Sequence, residues 1–147
     1  MNNVPEIITI QLAYQPALLA LALLCLAVLI QSLLIAPLAF GSEEQVPGMP
    51  PKGGHNMLSF RVLRTYSNSV ESLPAFGIAL ILAIILEATP SIVNWAAVIH
   101  VIFRMAYWLA YYIGAGRISG GPRSILYVGG LVSNFVLAGL CVYTLLK

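Results

Sequence analysis

Charge is what this sequence has least of. Of 147 residues, seven are Lys or Arg and five are Asp or Glu, 8% in all, while 60% are hydrophobic. A soluble domain carries about 25% charged residues. So sparse a set cannot cover a water-facing globule of this length, which excludes a soluble enzyme, a disordered tail and a nucleic-acid-binding module together. Cysteine is scarce as well. Cys25 and Cys141 both lie inside apolar stretches, so they read as small apolar helix residues, outside any disulfide framework or metal site. Of the two histidines, His100 has no second His or carboxylate at ligand spacing on its helix, and reads as a packed or hydrogen-bonded side chain; no metal is expected. The net charge of +2 calls for no polyanionic partner.

What is present is apolar length. The chain is about one domain long, and its mean hydropathy of +0.93 makes it an integral membrane protein. The pattern predicts a single all-α, four-helix transmembrane domain over residues 1–147, with helices at about 12–40, 58–87, 91–113 and 122–146. Residues 1–15 hold no Lys or Arg, unlike a signal peptide, so the first span is read as retained. Pro47, Pro50, Pro51, Gly48, Gly53 and Gly54 mark a loop, in which His55 reads as solvated. Gly114 to Gly121 is a short connection, and Pro122 suits the first turn of the last helix. The second span is informative. Its cleanly apolar part, Leu73 to Leu86, covers only about 21 Å, too short to cross. The helix must begin near Leu58, which draws Arg61, Arg64, Asn68 and Glu71 into the membrane. Pro74 cannot donate to the carbonyl of Val70, so a bend near Glu71 is expected. Lys52, Arg61, Arg64, Arg117 and Arg123 gather on the loop side. The positive-inside rule then puts loops 41–57 and 114–121 in the cytoplasm and both termini outside.

Ionisable residues within spans are costly and usually face the bundle interior. At 100° per residue, Arg61, Arg64, Asn68 and Glu71 fall within an arc of about 80°, and His100, Arg104, Tyr107 and Tyr111 within about 60°. Glu71 lies about 20 Å below the start of its helix and Arg104 about 14 Å below the end of the next. These deepest opposite charges are expected to pair, since an isolated one would cost several kcal/mol. Such a pair also serves as a plain staple between helices, and Arg61 and Arg123 also suit interfacial anchors. Trp95 and Trp108 read as interfacial belt residues. The converging stripes are explained with fewest assumptions by a cationic, aromatic cleft opening to the cytoplasm. Arginine forks bind carboxylates, Asn both donates and accepts, Glu takes an ammonium, and a guanidinium beside a thiol favours the nucleophilic thiolate. Those groups suit a small zwitterionic thiol peptide such as glutathione, with an apolar electrophile arriving from the bilayer.

The run from Arg61 through Arg64, Asn68 and Glu71 to Pro74 closely resembles the second-helix signature of the MAPEG family, the membrane-associated proteins in eicosanoid and glutathione metabolism. Phe103-Arg104-Met-Ala-Tyr107-Trp-Leu-Ala-Tyr111, followed by Pro122-Arg123-Ser124, is similar to that family's third- and fourth-helix signature. The resemblance covers nearly the whole chain. It implies a homotrimer with glutathione, as co-substrate, bound between subunits near the cytosolic face. By similarity Arg64, Asn68 and Glu71 would hold glutathione, with Arg61 beside them; Arg104 would brace Glu71 or touch the ligand; Tyr107 and Tyr111 would contact the peptide. Arg123 matches the arginine that stabilises the thiolate in active members, and Ser124 follows it as in the prostaglandin E synthase branch. The chain also departs from the family. The arginine near the cytosolic end of helix one is missing from Ile35-Ala36-Pro37-Leu38, a further basic position is Ser67, and the longer connection lets Arg117 compete with Arg123.

The expected function is a membrane-bound glutathione transferase or glutathione-dependent peroxidase acting on a lipophilic small molecule. The alternative is a non-enzymatic lipid-binding or lipid-presenting protein of the same family. A channel subunit would need a polar stripe through the full membrane depth, whereas the second helix is wholly apolar from Pro74 to Glu87. The Leu- and Ala-rich economy of the chain points to a bacterial inner membrane.

Overall fold

Hydrophobic stretches of this length form helices in a bilayer, because a backbone without water must satisfy its own hydrogen bonds. The computed structural model describes residues 6–40, 54–116 and 121–147. Lys52, most of the Pro/Gly-rich loop and Arg117 lie outside the described residues. The described chain forms α1 (Glu6–Ala13), α2 (Gln15–Phe40), α3 (Leu58–Ile85), α4 (Pro90–Tyr112) and α5 (Pro122–Leu145). Each of the last four contains a segment long and apolar enough to cross a membrane. α3, α4 and α5 match the expected spans to within one or two residues at each end, and α3 does begin at Leu58 and continues through Pro74.

The first span differs from the expected single helix at 12–40. Helix starts at Glu6 and is interrupted at Tyr14. Pro16 has no N–H for the carbonyl of Leu12, which opens one rung of the ladder. Asn94 of α4 fills the next rung: its Nδ2 donates to the Ala13 carbonyl (2.8 Å), and its Oδ1 accepts from the Ala17 N–H (3.2 Å). The Tyr14 hydroxyl donates to the Ala88 carbonyl at 2.5 Å, tying the same break to the α3–α4 turn.

α4 packs on α2, α3 and α5, and α3 also packs on α2 and α5. α2 turns Ala17, Ala20, Leu24, Val28 and Gln31 inward, and Tyr14 just before it continues the row, at spacings of three and four on one face. Its small residues allow close helix approach. Phe76, Leu80, Ala83, Val93, Ala97 and Leu137 form the solvent-free centre. α4 ends in a left-handed cap: Gly114 has φ +71, its N–H donates to Tyr111 O and that of Ala115 to Ala110 O. α3 ends the same way with Glu87 at φ +49, where the Glu87 and Ala88 N–H groups donate to Ile84 O and Ala83 O.

Candidate functional site

The site grows from a ladder of hydroxyls on α3. Thr65 Oγ1 donates to the Val62 carbonyl (2.8 Å), Ser69 Oγ to that of Thr65 (2.8 Å) and Ser72 Oγ to that of Ser69 (3.2 Å). Each proton is spent on the helix's own backbone, a habit of Ser and Thr in helices. Hydroxyl lone pairs are left to receive donors from α4. Trp108 Nε1 donates to Ser69 Oγ at 2.9 Å. Arg104, only 2% exposed, donates from Nη1 to Asn68 Oδ1 (2.7 Å) and from Nη2 to the Asn68 carbonyl (2.7 Å) and to Ser72 Oγ. These charge-assisted bonds keep a cation tolerable at this depth.

From Arg104 the polar face of α4 continues as aromatic rings. The Arg104 guanidinium lies 5.8 Å from the Tyr107 ring centre, and Tyr107 lies 4.9 Å from Tyr111. The Arg123 guanidinium, from the first turn of α5, sits 4.7 Å over Tyr111, within cation–π range. Arg123 is also buried. Its Nε donates to the Ala115 carbonyl (2.6 Å) and its Nη2 to that of Gly116 (3.1 Å). The left-handed turn at Gly114 presents those carbonyls, so the α4 cap builds the Arg123 socket. Arg123 Nη1 is buried and has no acceptor among the described residues. One side of this guanidinium is thus fixed by the end of α4.

Of the expected residues, Asn68, Arg104, Tyr107, Tyr111 and Arg123 are brought together along the buried face between α3, α4 and α5. The others are not. Arg61 donates from Nη1 to the His55 and Asn56 carbonyls (2.8 and 2.9 Å) and from Nη2 to that of Tyr112 (3.4 Å), so it clasps the loop to the end of α4. Arg64, Glu71 and Ser124 are exposed on the single chain. The expected Glu71–Arg104 pair is replaced by Arg104 with Asn68 and Ser72. The reason is angular: Glu71 and Arg64 stand about 40–60° to one side of Asn68 on the helix, and Ser72 about 40° to the other, at 100° per residue. α4 approaches on the Ser72 side.

Three further expectations are settled. Trp108 is buried against Ser69, not in an interfacial belt, whereas Trp95 is 68% exposed. His55 is half-buried, edge-on to Phe60 at 4.9 Å, rather than solvated. His100 is packed and bonded as expected: its ring stacks on Phe76 at 4.1 Å, and Nδ1 donates to the Gly130 carbonyl at 3.0 Å.

Ser69, Ser72 and Tyr127 were not singled out by sequence. Tyr127 lies 6.2 Å from Tyr107, one turn beyond Arg123, and that spacing was its available signal. Thr65, Ser69 and Ser72 recur at spacings of four and three on α3, which marks a face but not a role. Gln31, the buried polar residue of α2, donates to the Tyr112 hydroxyl at 2.8 Å. No curated protein matches the chain. The model of the MAPEG family does match, over residues 17–143, an extent that takes in Asn68, Arg104, Tyr111 and Arg123 alike, and the chain belongs to that family.

Proposed function

We propose that the protein is a membrane-bound glutathione transferase or glutathione-dependent peroxidase, with Arg123 as its catalytic group. The observation that carries this reading is the buried Arg123. Two carbonyls and the Tyr111 ring fix its orientation, and Nη1, which has no acceptor among the described residues, would meet an anion. In a site of low dielectric such a preorganised donor stabilises developing charge far more than it would in water. Bound glutathione would supply the thiol. Arg123 would hold that sulfur as thiolate, with Ser124 alongside. Asn68 would receive the peptide's acceptor groups, Arg64 a carboxylate and Glu71 the ammonium; Tyr107 and Tyr111 would form an aromatic wall. The acceptor is a lipophilic electrophile or hydroperoxide reaching the site from the membrane lipid.

Arg64 and Glu71 support assembly as a homotrimer. Each faces outward from a spanning helix of the single chain, where hydrocarbon would penalise it. A neighbouring subunit covering that face would supply partners and complete the site. The Lys/Arg bias favours loops in the cytoplasm, in a bacterial inner membrane for a chain of this composition.

The test is calorimetry of glutathione with the detergent-purified protein, with a thiolate absorbance scan on the same sample. Binding with a thiolate signal that vanishes in Arg123→Ala is the expected result. A signal that survives in Arg123→Ala and vanishes in Arg117→Ala would move the catalytic role to Arg117. A second reading, lipid presentation without chemistry, is favoured by one feature: an apolar groove of about 540 Å³ between α4 and α5, lined by Trp95, Ile99, Phe103, Val132 and Val136. It predicts co-purifying lipid and no thiolate.

A further inference from the structure

Asn68 has two hydrogen-bonding ends, and in this protein one of them is already spent. Its Oδ1 and its backbone carbonyl both receive Arg104, at 2.7 Å each, and Arg104 Nη2 also reaches Ser72 Oγ. An asparagine amide is nearly symmetric in shape, so its orientation is decided by its partners. Here the partner is a cation with donors alone. Turning the amide over would set N–H against N–H and strip a buried guanidinium of an acceptor. Ser72 narrows the choice further. Its proton is committed to the Ser69 carbonyl, so its oxygen faces Arg104 as an acceptor and pins the guanidinium where it grips Asn68. The Asn68 Nδ2 hydrogens make no hydrogen bond to the described residues, although the residue is only 7% exposed. In a membrane-embedded setting such a donor is waiting for an acceptor.

We propose that Ser72 and Arg104 are positioning residues that lock the Asn68 carboxamide with its NH2 toward the ligand. The site therefore takes a hydrogen-bond acceptor over Asn68, a carboxylate or peptide carbonyl oxygen, and turns away an ammonium. Arg104 acts here through Asn68: three of its hydrogen bonds go to Asn68 and Ser72 inside the chain. The ligand class rests on the glutathione reading above; the lock does not.

The experiment separates the two. Protein labelled with 15N in its asparagine side chains is followed by NMR in micelles, the Asn68 NH2 pair being assigned by its disappearance in Asn68→Asp. One sharp pair is expected in the wild type. In Ser72→Ala the pair should shift and broaden, and in Ser72→Thr, which keeps the hydroxyl, it should return. On the same samples glutathione affinity should fall about tenfold or more in Asn68→Asp, where Arg104 keeps an acceptor but the donor is gone. It should fall by a smaller factor in Ser72→Ala and recover in Ser72→Thr. An Asn68 pair unmoved in Ser72→Ala would overturn the lock. Undiminished glutathione affinity in Asn68→Asp would overturn the contact between the Asn68 NH2 and the ligand. If the NMR response follows this pattern while the wild type binds no glutathione at millimolar concentration, the lock stands and the glutathione reading falls.

Discussion

Arg104 and Arg123 are both buried arginines, yet they are partnered in opposite ways. Arg104 closes on Asn68 and Ser72 within the chain, whereas Arg123 is seated on two carbonyls, and its Nη1 has no acceptor among the described residues. The two ends of the Arg104–Asn68 contact can be removed separately. Arg104→Leu removes a cation and strands neutral acceptors, at a cost of about 1–3 kcal/mol. Asn68→Leu takes one of three acceptors from a buried cation, which keeps the residue-68 carbonyl and Ser72 Oγ, and should cost at least as much, about 1.5–3 kcal/mol. Thermal unfolding of both variants in the same detergent checks the order; a more stable Asn68→Leu would mean that Arg104 finds another partner. At this scale the sequence was legible in part. Helical spacing put Arg104 on an inward stripe, because a charge in a span must be sheltered. It did not name the partner, because Glu71 and Ser72 are adjacent and only the approach of α4 decides between a carboxylate and a hydroxyl.

Helix ends and crossings carry the next level. α3 and α4 share one cap geometry, but α4 places Gly114 in the left-handed position and α3 places Glu87 there. A Cβ in that conformation costs about 1 kcal/mol. Glu87→Gly should raise stability by about that much, read as a higher midpoint of thermal unfolding. At the α4–α5 crossing, a Cβ built on Gly129 would fall 2.6 Å from Phe103 Cδ1, while one on Gly139 meets nothing within 4 Å. Gly129→Ala should lose about 1–3 kcal/mol, and Gly139→Ala should gain a few tenths to about 1 kcal/mol from helix propensity. Equal effects at the two sites would contradict the crossing described. Asn94 makes a third case. Asn94→Leu removes the amide that spans the Ala13–Ala17 rung, so the Ala17 N–H should exchange with solvent faster in deuterium-exchange measurements. Hydropathy located the spans well, since length and apolarity are what a bilayer selects. It missed the break at Tyr14, whose cause needs Pro16 together with Asn94, a residue 77 positions from Ala17.

The whole molecule is an integral membrane protein of the MAPEG family whose buried polar file runs from Arg104 through Tyr107 and Tyr111 to Arg123. Arg64 and Glu71 stand outside that file, on a face that another subunit would cover. Native mass spectrometry in mild detergent should give a trimer, and Glu71→Leu should bind glutathione more weakly while remaining folded; a stable monomer with full glutathione affinity would contradict assembly through this face. That both residues share a polar stripe on the second helix was legible from their spacing. That they point away from Arg104 in one chain was not, because a stripe of about 80° can straddle the boundary between internal packing and an outer face. The most direct measurement is the thiolate absorbance of the purified protein titrated with glutathione, in wild type and Arg123→Ala. The account predicts saturable binding with a thiolate band in the wild type and no band in Arg123→Ala; no binding at millimolar glutathione, or a band that survives loss of Arg123, would contradict it.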